Sequence, residues 1–296
     1  FPNNGGGDTF DVTIPNGTVS INLDAAITVN TLTATATSDA LILAASGTND
    51  LTIKSTLTWN AGTFGGLGST IIDTGATGNI NIPGATGASL EGGRNLLNHG
   101  TLNMEAGAFP SGAGGTLLLD GDSTITNTGT WNLYDRADVN ATGSRPGITA
   151  PQISNSGTIN IAGDGVGIDP LTSYDSTTFD IVAPGLLNTG TIIKSAGTGS
   201  HATIGSHVEN AALIHAQVGS LNVLDLTQTA GAFGRVEDSL SFFVNAYRSL
   251  ASWRATVGRL AGFRYSIEAA HAAAQGGQGL QCVSAIQHGA PLIATG

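Results

Sequence analysis

Asn98-His99-Gly100-Thr101-Leu102, Asn127-Thr128-Gly129-Thr130-Trp131, Asn155-Ser156-Gly157-Thr158-Ile159 and Asn188-Thr189-Gly190-Thr191-Ile192 are copies of one phrase, Asn-x-Gly-Thr-apolar. Asn60-Ala61-Gly62-Thr63-Phe64 reads as an earlier copy and Asn210-Ala211-Ala212-Leu213 as a degraded one. From Asn98 the steps are 29, 28, 33 and 22 residues, lengths that suit one turn of a β-solenoid better than a helical repeat. The Asn and Gly are expected to supply turn conformations with positive φ, which bulkier residues resist. The residues after each turn alternate: Thr101-Leu102-Asn103-Met104, Thr130-Trp131-Asn132-Leu133 and Thr158-Ile159-Asn160-Ile161 carry the period-2 signature of a strand. Strands stacked in register pair every backbone donor with a neighbouring coil, and Asn at one repeat position can then form a ladder.

Composition agrees with stacked thin sheets. Charged residues make up 10% of the 296, against ~25% in ordinary soluble proteins, and 43 residues are Gly. Residues 1–225 hold five basic and 18 acidic residues, a net charge of −13, whereas residues 226–296 hold five Arg and three acids, a net of +2. A surface so acidic excludes nucleic acid as a partner, because phosphate needs Lys and Arg to neutralise it. The single cysteine, Cys282, forbids an internal disulfide and reads as a free thiol with no base beside it. No apolar run reaches the ~18 residues of a membrane span, and no signal peptide is visible. The chain opens at Phe1, its only Met is Met104, and it reads as an internal piece of a longer protein.

Further short strands precede the repeats: Asp11-Val12-Thr13-Ile14-Pro15, Val19-Ser20-Ile21-Asn22-Leu23, Ile27-Thr28-Val29 and Leu51-Thr52-Ile53. The run DVTIPNGTVSINLDAAITVNTLT (11–33), continued by LTIKSTLTWNAGTFGGLGSTIIDTGAT (51–77), resembles the opening of β-solenoids in large bacterial surface and secreted proteins. The resemblance covers roughly residues 1–225. It implies an all-β, right-handed parallel β-helix and export from a bacterial cell, and it implies no activity.

Residues 226–275 read differently. Phe233, Val236, Leu240, Phe243, Val244, Tyr247, Leu250, Val257, Leu260 and Ala261 recur at three- and four-residue steps, which predicts an amphipathic α-helix. Glu237 and Asp238 lie early, and Arg248, Arg254, Arg259 and Arg264 late, an order expected to complement the helix dipole. Gly258 and Gly262 weaken it. Residues 276–296 are read as an irregular tail. The stretch Leu226–Phe263, LTQTAGAFGRVEDSLSFFVNAYRSLASWRATVGRLAGF, resembles the end of the transmembrane domain in ABC transporters that fuse permease and ATPase. That branch includes the peroxisomal fatty-acyl transporters and their bacterial relatives. The resemblance implies a cytoplasmic extension of a last membrane helix. No Gly-x-x-x-x-Gly-Lys-Ser/Thr loop is present, and Gly276-Gly277-Gln278-Gly279 lacks the Leu-Ser of an ABC signature, so no ATP-binding residue is carried over. The two resemblances imply different places. The chain therefore reads as a fusion or relic, the alternative being a native helix that caps the solenoid.

Candidate sites are few. Asp120-Gly121-Asp122 and Asp164-x₄-Asp169 are the best carboxylate pairs, and oxygen-rich turns of this kind can bind Ca²⁺. The alternative is turn residues that bond their own backbone. Calcium is the one candidate ion, and no other cofactor is expected. Catalysis on polysaccharide needs two carboxyls at a set spacing, or a Lys or Arg base beside acids. The basic residues Lys54, Arg94, Arg136, Arg145 and Lys194 are scattered, with Arg136 between Asp135 and Asp138 read as a solvated cluster. His99, His201, His207 and His215 show no metal-ligand spacing, and His99 in its turn is read as exposed. Trp59 and Trp131 either stack on sugars or fill the core. The reading that results is a non-catalytic extracellular β-solenoid with an adhesin-like or structural role, its partners surface glycans or other cell-surface proteins. A carbohydrate-active β-helix enzyme and a membrane-transport remnant are the alternatives.

Overall fold

Alternation sets the strands. In Thr130–Leu133, Thr158–Ile161 and Thr191–Lys194 the first and third residues are half-buried and the second and fourth buried, as a strand with one face on a core requires. The computed structural model describes residues 3–4, 9–15, 19–34, 41–45, 47–82, 87–106, 115–197, 201–228 and 230–275. The strands predicted near the N-terminus are present as Asp11–Ile14, Val19–Leu23, Ile27–Ala34 and Leu51–Trp59, the last two longer than expected.

The strands wind into a parallel β-solenoid whose coils contribute to three stacks. One stack holds Ser69–Ile72, Asn95–Asn98, Thr124–Asn127, Ile153–Asn155 and Leu186–Asn188. The second holds Thr77–Ile82, Thr101–Ala106, Thr130–Leu133, Thr158–Ile161, Thr191–Lys194 and Leu213–Ala216. The third holds Gly62–Gly66, Ala88–Glu91, Thr116–Leu119, Asp138–Ala141 and Gly167–Asp169. The last strands, Ala202–Asn210 and Leu221–Gln228, run through both the third stack and the first. All these pairings are parallel, and the repeat phrase lies in strict register: Asn98 opposite Asn127, then Asn155, Asn188 and Asn210.

That register buries a ladder. The Nδ2 of Asn98 donates to Asn127 Oδ1, Asn127 to Asn155, Asn155 to Asn188 and Asn188 to Asn210, each at 2.7 Å. The same nitrogens also donate across the turn to the carbonyls of Thr130, Thr158, Thr191 and Leu213, at 2.9 to 3.4 Å. A second, half-buried ladder runs outside the next stack, from Asn160 through Asn132 and Asn103 to Asn79.

The glycine of the phrase has a different reason from the one expected. Positive φ occurs at Gly62 of the Asn60 copy, at +94°, and at other glycines, but Gly100, Gly129, Gly157 and Gly190 are not among them. What they provide is close approach. A Cβ on Gly129 would lie 2.1 Å from the carbonyl oxygen of Gly100, and one on Gly157 or Gly190 equally near the preceding turn's oxygen. Each turn therefore sits directly on the last, with Thr130 N donating to Gly100 O and Thr158 N to Gly129 O. The Asn60 phrase does not belong to this column. It comes after the second-stack segment 56–59, and Ile72 holds the place opposite Asn98. Asn210, read as a degraded copy, does close the ladder.

Ala, Val, Ile and Leu fill the interior with Trp59, Trp131, Phe64 and Met104, all fully buried. Trp59 stacks on Phe64 with ring centroids 4.1 Å apart and donates its Nε1 to Ala61 O. Sugar stacking on Trp59 or Trp131 is thereby ruled out.

The chain divides into two compact units, Phe1–Phe233 and Gly234–Gly296. The change of periodicity read at Leu226 falls inside the last strand, and the helix spans Ala230–Gln275. With those ends its first turn holds no acid and its last turn no base, so the expected match to the helix dipole is absent. Residues 246–275 are exposed, and their large apolar side chains occupy a wide arc broken by Arg254, Arg264 and Glu268. Among the described residues no helix is long and apolar enough to cross a membrane. The predicted stripe from Phe233 to Val244, and the tail 276–296 with Cys282 and Gly276–Gly279, lie outside the described side chains.

Removing one ladder rung strips a partner from the rungs on either side. Asn155→Ala is expected to lower unfolding stability by about 1–3 kcal/mol, and Asn98→Ala, at the end of the ladder, by less. Gly129→Ala is expected to destabilise at least as much as Asn155→Ala, because its neighbour is backbone and cannot yield. Urea midpoints check all three.

Candidate functional site

The solenoid departs most from its repeat at one corner, where each coil passes from the third stack to the next ladder strand. The earlier connections there are short, residues 92–94 and 120–123. The next two lengthen to 142–152 and 170–185. The second of these carries a small antiparallel hairpin, Ser173–Tyr174 against Ile181–Ala183.

Buried donors hold the corner together. The Arg94 guanidinium donates to the carbonyls of Asn49, Leu67 and Ser69 and to Thr70 Oγ1. Burial pushes its pKa down to about 10, opposed by the charge of Asp50, so it remains a cation at neutral pH. Arg145 repeats the device, donating to Gly121, Ser123 and Ala150 carbonyls. Gln152 Nε2 donates to Asp120 O, and its Oε1 accepts from Leu171 N. The two long connections are tied to each other as well: Ser173 Oγ donates to Arg145 O, and Gly147 N to Tyr174 O at 2.9 Å.

Between these connections lies a cleft of about 350 Å³, lined by residues 143–146 on one side and by Leu171, Thr172, Tyr174, Asp175, Ser176 and Phe179 on the other. The hairpin tip is tightly bonded. Asp175 Oδ1 accepts from Thr177 N at 2.7 Å and Thr178 N at 2.8 Å, bonds that hold its carboxyl below the usual range, the Thr178 bond most of all. Phe179 N donates to Asp175 O, and Phe179 takes a φ of +61°, a left-handed conformation that costs a bulky side chain about 1–2 kcal/mol. The residue is 78% exposed, so burial does not offset that strain. Tyr174 is 45% exposed beside it.

The predicted carboxylates fall in separate places. Asp120 caps its own turn, accepting from Asp122 N, Ser123 N and Gly92 N, and the Arg145 guanidinium feels the charge of both Asp120 and Asp122. Asp164 sits at a different corner, where the fully buried Lys194 donates to its Oδ1 at 3.3 Å and to the carbonyls of Gly163 and Ala196. Each of these two carboxylate corners thus holds a side-chain cation. Asp169 stands on the third stack, diagonal to Asp138 by register. Among the described residues no three His, Cys, Asp or Glu side chains gather as a metal site. His207 pairs with Asp225 at 2.8 Å, and His99 is exposed with Thr128 as its partner.

Sequence reasoning passes over this cleft. Its signal is the 33-residue step from Asn155 to Asn188, the longest in the series, with Asp-Ser-Thr-Thr at 175–178 between two short apolar pieces. Arg94, Arg145 and Lys194, scattered in sequence, are the buried ties between coils. Comparison of the chain with protein-family models, with curated proteins and with solved structures finds no match.

Asp138 yields a pH test. Burial first, then the charge of Asp169, raises its carboxyl above the ordinary range, against a weak bond from Thr116. A raised carboxyl contributes stability that is full below its unfolded pKa of ~3.9 and is lost as pH rises through the folded value. Asp138→Asn is therefore expected to stabilise the fold at pH 7 by about 0.2–1 kcal/mol, the range of like-charge neighbours across strands, with the gain vanishing below about pH 4. Thermal unfolding at both pH values measures it.

Proposed function

We propose that residues 1–228 form a non-catalytic display rod of a bacterial surface or secreted protein, with an adhesin-like role, and that contact with partners is made by the long connections at the corner described above. The observation that carries this reading is the use made of the polar groups. On the lining, Arg145 donates through both Nη atoms to the Gly121, Ser123 and Ala150 carbonyls, and Asp175 Oδ1 accepts from its own turn, so the residues lining the cleft offer no acid paired with a free base. The low charge, the Cys-free solenoid and the resemblance of residues 1–225 to exported repeat proteins support an extracellular setting. Surface glycans or cell-surface proteins are the partners such a rod would meet.

A second reading, a carbohydrate-active enzyme, draws on Asp138 and Asp169. Their carboxylates sit on one stack, and each lies over a glycine: a Cβ on Gly167 would meet Asp138 Oδ1 at 2.3 Å, and one on Gly205 would meet Asp169 Oδ1. Two carboxyls with unequal environments are the raw material of glycoside hydrolysis.

A turnover screen separates the two. Incubation with pectin, alginate and host glycans is expected to release neither new reducing ends nor unsaturated products. Turnover that disappears in Asp138→Asn would establish the enzyme reading and overturn the display rod.

A further inference from the structure

We infer that the cleft between residues 143–146 and the 173–183 hairpin is a binding site for a short, uncharged saccharide, with Phe179 and Tyr174 as the plates on which a sugar ring stacks; the inference rests on the display reading above and names its ligand. Three observations converge. The first is strain: the hairpin places a phenylalanine where left-handed φ calls for Gly or Asn, and leaves that residue 78% exposed. A flat apolar ring held at the mouth of a cleft gives that choice a use. The second is shape. A volume of about 350 Å³ lies at the small end of ligand sites and leaves room for a short chain of sugar rings. Tyr174 adds a second ring whose hydroxyl can share hydrogen bonds with a polyol.

The third observation is charge. Arg145 is the only basic residue among those lining the cleft, and its terminal nitrogens are committed to the Gly121, Ser123 and Ala150 carbonyls. Asp175 lies on the lining, Asp180 beside it, and the surrounding 225 residues carry a net −13. The Arg145 charge is already offset by Asp122 and Asp120, so uronate, sulfate or phosphate groups would meet a net acidic surround. Hydroxyl groups, which donate as well as accept, suit the Ser144, Ser176 and Tyr174 hydroxyls on the lining.

The test uses the whole chain and four neutral probes, cellotetraose, xylotetraose, maltotetraose and mannotetraose, with tetragalacturonate as the anionic comparator, measured by calorimetry and saturation-transfer NMR. At least one neutral probe is expected to bind in the millimolar range or tighter, and more tightly than tetragalacturonate. Its affinity should fall about tenfold or more in Phe179→Gly and in Tyr174→Ala. Phe179→Gly should also melt no lower than the parent chain, since the residue removed is the strained one. Failure of all four neutral probes to bind at about 10 mM, preference for tetragalacturonate, or undiminished affinity in both variants would overturn the site. Release of reducing ends from the same probes would instead overturn the non-catalytic reading, so the two failures are told apart.

Discussion

The structure depends on the distance between one turn and the next. Parallel coils pair their backbones only if successive turns approach to contact, and at the Asn-x-Gly-Thr corner that contact is so close that a Cβ would land on the preceding carbonyl oxygen. Glycine makes the approach possible, and asparagine makes it specific. An amide side chain is a donor and an acceptor at once, so a column of identical residues satisfies itself when, and only when, the register is strict. A slip by one residue would turn the amides outward and leave apolar side chains in water. Buried polar groups of this kind carry a heavy penalty if unpaired, which is why the ladder selects one register and does not merely add to stability.

The buried cations answer to the same penalty on unpaired polar groups. A solenoid corner leaves carbonyls that no strand pairs, and a chain this poor in charge cannot cover them by chance. Arg94 and Arg145 each reach across coils and meet three carbonyls, and Lys194 meets two and a carboxylate. A guanidinium buried among carbonyls keeps its charge through those bonds, although burial lowers its pKa. These residues act as clamps between coils, and their scarcity in the sequence marks how many corners needed one.

Much of the fold is legible because the period-2 alternation and the repeated phrase encode the same thing twice. Thr130-Trp131-Asn132-Leu133 announces a strand by itself, and its match to Thr158-Ile159-Asn160-Ile161 announces a stack. The hidden part depends on distance between coils. Nothing local distinguishes a glycine needed for close approach from one needed for positive φ, and from sequence Gly129 reads as the latter. Asn60 shares the phrase but not the corner, since a short motif does not say which strand precedes it. Asp120 and Asp164 look like open ligands because Arg145 and Lys194, their cationic neighbours, lie 25 and 30 residues away in sequence. The cleft is the least legible, being built from two long connections of which only the second, 170–185, leaves a lengthened step, while 142–152 falls in a step of ordinary length.

A regular solenoid is an unpromising place for recognition, since each coil offers the same small, satisfied side chains as its neighbour. Its corners are where length can be added without disturbing the stacks, because loop closure grows more costly only slowly with length. Here two successive connections at the same corner are lengthened, and they brace each other through Ser173 to Arg145 and Gly147 to Tyr174. A single insertion would present a loose loop; a braced pair presents a shaped hollow. It is at this braced pair that the chain also tolerates an aromatic residue in a left-handed conformation. The regular coils hold strict register to remain folded, whereas the hairpin strands form a sheet of their own, so the strain at Phe179 falls outside the stacked pairings.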